Sequence, residues 1–209
     1  MITPLIIYSF IILALLIAEL REDRRAQFFF KPLAAFGFVL LALQFGALES
    51  TYGLIILAGL IACAVGDIFL LSRKSENLFK AGMAAFALGH VFYVIAISKI
   101  RIDFTTDITN WAVIFIAGLF ALHTVRKTPK RMQRPVLYYS LIIFLMVLFS
   151  LFAPRSAPFI FIPFAAIMFA VSDMFVARDR FIKPNPKNAL AITPLYFGAQ
   201  ALFALSTAI

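Results

Sequence analysis

Ala64-Val65-Gly66-Asp67-Ile68-Phe69-Leu70 and Ala170-Val171-Ser172-Asp173-Met174-Phe175-Val176 are two versions of one phrase. Both read Ala-Val-small-Asp-(Ile/Met)-Phe-aliphatic. Each copy lies in the last third of a long apolar run, and each run ends in a basic loop, at Arg73 and Arg178. A carboxylate inside an apolar span costs about 2.5–3.5 kcal/mol on insertion scales, so it is rarely kept without a use. Two of them, at matching depth in matching sequence, predict a shared site. The plainer alternative is a structural hydrogen-bond pair or helix clamp.

Working outward, the chain has 209 residues, of which 63% are hydrophobic and only 14% charged. The charges cluster between apolar runs, as in a polytopic membrane protein and unlike a soluble domain. Eight runs can each span a bilayer: about 2–18, 32–48, 53–71, 81–98, 108–125, 135–153, 157–177 and 188–208. The connections are short. The prediction is an all-α bundle of eight transmembrane helices forming one domain over residues 1–209. The first run has basic residues after it and none before, the reverse of a signal peptide, and reads as a retained span.

Of the 19 Lys and Arg residues, sixteen fall in the loops after the first, third, fifth and seventh spans. The opposite loops hold only Lys99, Arg101 and Arg155. The positive-inside rule makes the richer side cytoplasmic and puts both termini outside, as expected for a bacterial inner membrane protein. The net charge of +9 therefore belongs to topology, and no nucleic-acid partner is expected. Asp173 follows Asp67 by 106 residues and four spans, so the two copies are parallel. Lys31-Pro32 and Arg134-Pro135, opening the second and sixth runs, form a second echo. Together they suggest a weak four-plus-four repeat, with halves 1–100 and 101–209.

The candidate chemistry is sparse. Among ten acidic residues, Asp67 and Asp173 alone lie truly within apolar runs; Glu19 ends the first span and can reach the interface. One cysteine, Cys63, and two histidines exclude a disulfide within the chain, a multi-cysteine metal site and a three-histidine zinc site; no cofactor or metal is expected. The fourth span carries Phe79, Gly82, Phe86, Gly89, His90 and Tyr93 at three- and four-residue steps, one face of a helix. Gly82 and Gly89 would admit a neighbouring helix. His90 lies near mid-span, where it can serve the carboxylates or merely fill a hydrogen-bond need. Tyr196 and Gln200 share a face of the last span. His123, Tyr138 and Tyr139 read as interfacial residues. No G-x-S-x-G, H-E-x-x-H or P-loop is present.

Lys31-Pro32, Gly66-Asp67, Phe79-x-x-Gly82-x-x-x-Phe86-x-x-Gly89-His90-x-x-Tyr93, Ser172-Asp173 and Tyr196-x-x-x-Gln200, in this order, resemble the YhhN-type lysoplasmalogenase family. The resemblance runs from Lys31 to Gln200. It implies an eight-span membrane hydrolase that cleaves the vinyl-ether bond of a lysoplasmalogen to a fatty aldehyde and a glycerophosphoethanolamine or glycerophosphocholine. It also implies that Asp67 and Asp173 are the catalytic pair.

The residues read by themselves agree. A vinyl ether hydrolyses by protonation at carbon and capture of the oxocarbenium ion by water. Two neighbouring carboxyl groups in an apolar setting can divide that work, one keeping its proton and one its charge. Which aspartate does which is not legible in the sequence. His90, Tyr93, Tyr196 and Gln200 would orient substrate or water, and Lys31, with Arg134 less directly, would hold the lipid phosphate at the headgroup level. The expected partners are a lysophospholipid substrate and membrane lipid, with no obligatory protein partner. The rival from another class is a small transporter or proton-coupled carrier, which also suits a parallel repeat and intramembrane acids.

Overall fold

The computed structural model describes residues 2–72, 75–100 and 108–208. The topology argument's Arg73, Lys74 and Arg101 lie outside the described residues. The described chain holds eight α-helices and no strand: α1 (Ile2–Leu20), α2 (Arg24–Gln44), α3 (Thr51–Leu70), α4 (Glu76–Lys99), α5 (Ile108–Lys127), α6 (Lys130–Ser150), α7 (Phe161–Ala177) and α8 (Ala189–Leu205). Among the described residues, seven helices are long and apolar enough to cross a membrane. The protein is an integral membrane helical bundle.

Two helices start earlier than the apolar runs suggest. α2 begins at Arg24, where the Asp23 carboxylate caps the backbone N–H groups of Arg25 and Ala26 at 3.0 and 3.1 Å. α6 begins at Lys130 after Pro129. Pro32 and Pro135 therefore lie inside helices rather than opening them. An interior proline removes one helical hydrogen bond, which membrane helices tolerate when neighbours compensate. Capping and charge had extended α2 two turns beyond its hydrophobic signal. At the other end α2 stops sooner than expected. Gly46 adopts φ 87°, and the Ala47 N–H bonds the Ala42 carbonyl at 2.9 Å while Gly46 N–H bonds Leu43. This is a Schellman ending, which a glycine makes at no steric cost.

The broadest seam joins α3 to α4, and its counterpart joins α7 to α8. Small residues permit the first. A Cβ on Gly89 would sit 2.5 Å from the Cys63 Sγ, and one on Gly82 would meet Leu70 at 2.8 Å, so α4 lies nearly backbone to backbone on α3. α2 then packs on α3 and α8, and α6 on α7 and α4. Phe38, Phe169, Phe197 and Phe203 are wholly buried where these helices meet. α5 stands at the margin, seated on α6 and more lightly on α7.

Helix starts repeat along the chain. α5 begins 106 residues after α1, and α6 both begins and ends 106 residues after α2. The Asp67–Asp173 spacing is the same. The Lys31-Pro32 and Arg134-Pro135 echo, spaced at 103, falls three residues out of that register.

Candidate active site

Asp67 lies in the last turn of α3 and Asp173 in the last turn and a half of α7. Both line one cavity of about 270 Å³. They are close enough that the charge of one acts on the other. The cavity runs between α5, α6 and α7 on one side and α3, α4 and α8 on the other. Its walls are mostly Leu, Ile, Val, Phe and Met side chains, and Lys31, the two aspartates, Tyr139 and Tyr196 supply much of the polar lining. A mostly apolar slot with a few convergent polar groups is the usual form of a lipid or small-molecule site.

The two carboxylates have different company. Asp67 is 1% exposed. Its Oδ2 accepts the Tyr196 hydroxyl at 2.5 Å, and its Oδ1 stands 3.7 Å from the Lys31 ammonium. Both oxygens thus face donors, one of them a cation, which is the setting of a charged carboxylate. Asp173 is half-buried, with surface left to the cavity. Its Oδ2 accepts the Tyr139 hydroxyl at 2.5 Å, and no salt bridge to it is formed among the described residues.

Tyr139 is the functional residue that sequence reasoning missed. It was expected in an interfacial belt, and its neighbour Tyr138, 65% exposed, does sit there. Tyr139 instead turns inward. Met132, Val136, Tyr139 and Ile143 recur at steps of three and four on the inner face of α6, so the helical period carried the signal. Glu19, expected at the interface, accepts the hydroxyl of buried Thr193 from α8.

Among the residues expected to bind substrate, the structure brings Lys31 and Tyr196 to the cavity wall. His90, Tyr93 and Gln200 are fully buried behind it and do not line it. The Tyr93 hydroxyl donates to Gln200 Oε1 at 2.7 Å, tying α4 to α8, and its ring stacks on Phe203 at 4.1 Å. The His90 ring stands edge-on to Phe169 at 4.3 Å and 5.8 Å from Tyr139. It lies toward the Phe86 carbonyl one turn back, yet neither nitrogen reaches hydrogen-bond geometry. Arg134 is exposed and away from the lining. Lys31 is not at the headgroup surface but 20% exposed and turned to Asp67. Among the described residues no group of three or more His, Cys, Asp or Glu side chains could hold a metal ion.

One wall is thin. Ile116 of α5 lines the cavity and is also 63% exposed on the outer surface of the bundle. At the end bearing the basic loops, Phe79 and Phe181 meet edge to face at 5.9 Å beside the cavity, with the Arg180 guanidinium 4.6 Å from the Phe79 ring centre.

The model of the YhhN family matches residues 26–207. The human lysoplasmalogenase TMEM86B is 32% identical over 152 residues, covering 72% of this chain and 62% of that protein. The cattle lysoplasmalogenase TMEM86A is 28% identical over 157 residues, covering 72% and 64%. The mouse TMEM86B is 31% identical over 153 residues. The chain spans about three-fifths of the length of the curated relatives it matches. No solved structure matches it. The chain belongs to the YhhN family.

Proposed function

We propose that this YhhN-family chain hydrolyses the vinyl-ether bond of lysoplasmalogens or closely related lysophospholipids, with Asp173 as proton donor and Asp67 as base. The observation that carries the reading is the pair of aspartates on one apolar cavity, each held by a tyrosine hydroxyl. Its relatives are named lysoplasmalogenases, which supports the substrate class.

The division of roles follows from the neighbours. Lys31 and Tyr196 favour the charged form of Asp67. Asp173 has an oxygen left over from Tyr139, and that oxygen can carry a proton toward the cavity. Asp173 gives this proton to the alkenyl carbon next but one to the ether oxygen. The resulting oxocarbenium ion is stabilised by the Asp67 carboxylate. Water, losing a proton to Asp67, adds to the cation and forms a hemiacetal. The hemiacetal hydroxyl returns a proton to Asp173 while Asp67 protonates the ether oxygen. The carbon–oxygen bond then breaks to aldehyde and glycerol hydroxyl, and both carboxyl groups are reset. Positioned proton transfer of this kind contributes about 10²–10⁴-fold, in the manner of two-carboxylate glycoside hydrolysis. His90, Tyr93 and Gln200 support the wall that holds Tyr139 and Tyr196. We place the site toward the cytoplasmic side of a bacterial inner membrane, with both termini outside, on the charge asymmetry of the loops.

The test is aldehyde release by the purified protein in detergent, coupled to an aldehyde-reducing enzyme. Release from a 1-alkenyl lysophospholipid and none from its saturated-ether analogue is expected. Turnover retained in either Asp67→Asn or Asp173→Asn would remove the two-carboxylate scheme.

A further inference from the structure

A second cavity of about 410 Å³ lies on the other side of α7, lined by His123, Arg178 and Lys183 together with Thr124, Met174 and Ala177. Those last three residues also line the first cavity, so the two share a wall. The first is apolar and holds the carboxylates. The second carries three side chains that are or can become cationic, on the end of the bundle with the basic loops.

The local backbone explains this gathering. α7 does not stop at Ala177 but widens into a π-type turn over Arg178–Ile182. The turn is closed by the Lys183 N–H donating to the Arg178 carbonyl at 2.8 Å. That bond brings residues five apart together, so both basic side chains border one cavity. Such turns are uncommon and concentrate at functional sites. The one carboxylate within the turn, Asp179, is directed elsewhere: its Oδ1 accepts the Asn185 N–H at 2.9 Å and the Asn188 amide at 2.8 Å. His123 arrives from the last turns of α5.

We infer that this second cavity is the binding site for the phosphate of a lysophospholipid headgroup, a role that resting on sequence alone had gone to Lys31. Lys31 is committed to Asp67. Arg178, by contrast, lies five residues beyond Asp173, roughly 7.5 Å at the helical rise. A glycerol backbone spans a distance of that order between its ether oxygen and its phosphate. A single-chain lipid can therefore lay its phosphate against Arg178, Lys183 and His123, pass its glycerol over Ala177, and reach Asp173 with its first alkenyl carbons. Cationic side chains at headgroup depth match the charge of a phosphodiester.

This inference rests on the proposed hydrolysis for its choice of lipid, so its test measures binding rather than turnover. The probe is a saturated-ether lysophospholipid, which the proposed chemistry cannot cleave, bound to the protein in neutral-detergent micelles. Arg178 and Lys183 are exposed, so the Arg178→Gln/Lys183→Gln double variant retains the fold. It is expected to weaken binding about 10-fold or more and to leave binding of a phosphate-free 1-alkylglycerol unchanged. Equal loss for both ligands, or no loss for either, would overturn the site. Displacement of the lipid by millimolar inorganic phosphate would make it a free-phosphate site and overturn the lipid assignment; none is expected. If the phosphate-dependent loss appears but the wild type releases no aldehyde from the alkenyl substrate, the site stands and the proposed reaction falls.

Discussion

The half of the molecule from α1 to α4 and the half from α5 to α8 match in register but differ in the company kept by their aspartates. Gly66 of α3 lies against the Phe86 ring of α4, with a Cβ there 2.8 Å from it. At the same spacing of 106, Ser172 of α7 lies against α8 and donates to the Ile192 carbonyl at 3.1 Å. Counted the same way, Tyr196 of α8 corresponds to His90 of α4. Tyr196 reaches across to Asp67, whereas His90 stays behind the wall and Asp173 is served by Tyr139 of α6. The other neighbour of Asp67 is the Lys31 ammonium of α2. Similar frames thus hold two carboxyl groups in unequal electrostatic settings. Acid–base chemistry at one pH needs that inequality.

The comparison is most severely tested by removing each carboxylate. Asp67→Asn and Asp173→Asn should each lower aldehyde release by about 10³-fold or more, with circular dichroism of the purified proteins unchanged. A variant that keeps most of its turnover would make its half a bystander. Lys31→Met comes next. It should cost about 10²-fold in kcat, because Asp67 then lacks the cation that holds its charge; an effect no larger than that of Tyr139→Phe would erase the proposed difference between the halves. Tyr139→Phe and Tyr196→Phe should each cost about 10-fold in kcat, the scale of one hydrogen bond to a charged or proton-sharing group. Smallest is a structural contrast. Gly66→Val should lower stability by about 1–3 kcal/mol through overpacking against Phe86, and Ser172→Ala by about 1 kcal/mol through its lost hydrogen bond. Unfolding in a mild detergent checks both, and a reversed order would mean the two seams are not packed alike.

Much of this was legible in the chain. Helix count and the location of the aspartates followed from apolar run length and from the cost of burying charge. Gly82 and Gly89 announced the close α3–α4 seam by their spacing. The ends of α2 were less legible, because Asp23 and Gly46 act through caps that a hydrophobicity reading does not weigh. Lys31 and Tyr139 were assigned to the membrane surface for the same reason: both lie in the first turns of apolar runs, where an anchor is the ordinary expectation. Their inward turn depends on which neighbours face them, and that is decided by tertiary packing. The headgroup cavity was invisible because the π-type turn that brings Arg178 to Lys183 has no sequence rule.

The single-residue thickness of the wall at Ile116 bears on what happens after cleavage. The two fragments differ sharply in solubility: a long-chain aldehyde belongs in oil, and a glycerophosphodiester belongs in water. A chamber flanked by bilayer at α5 and by aqueous solvent near its charged rim offers each fragment its own exit. The reactive aldehyde would then pass sideways into the leaflet without touching the cytosol, available to whichever membrane-bound oxidase or reductase lies nearby.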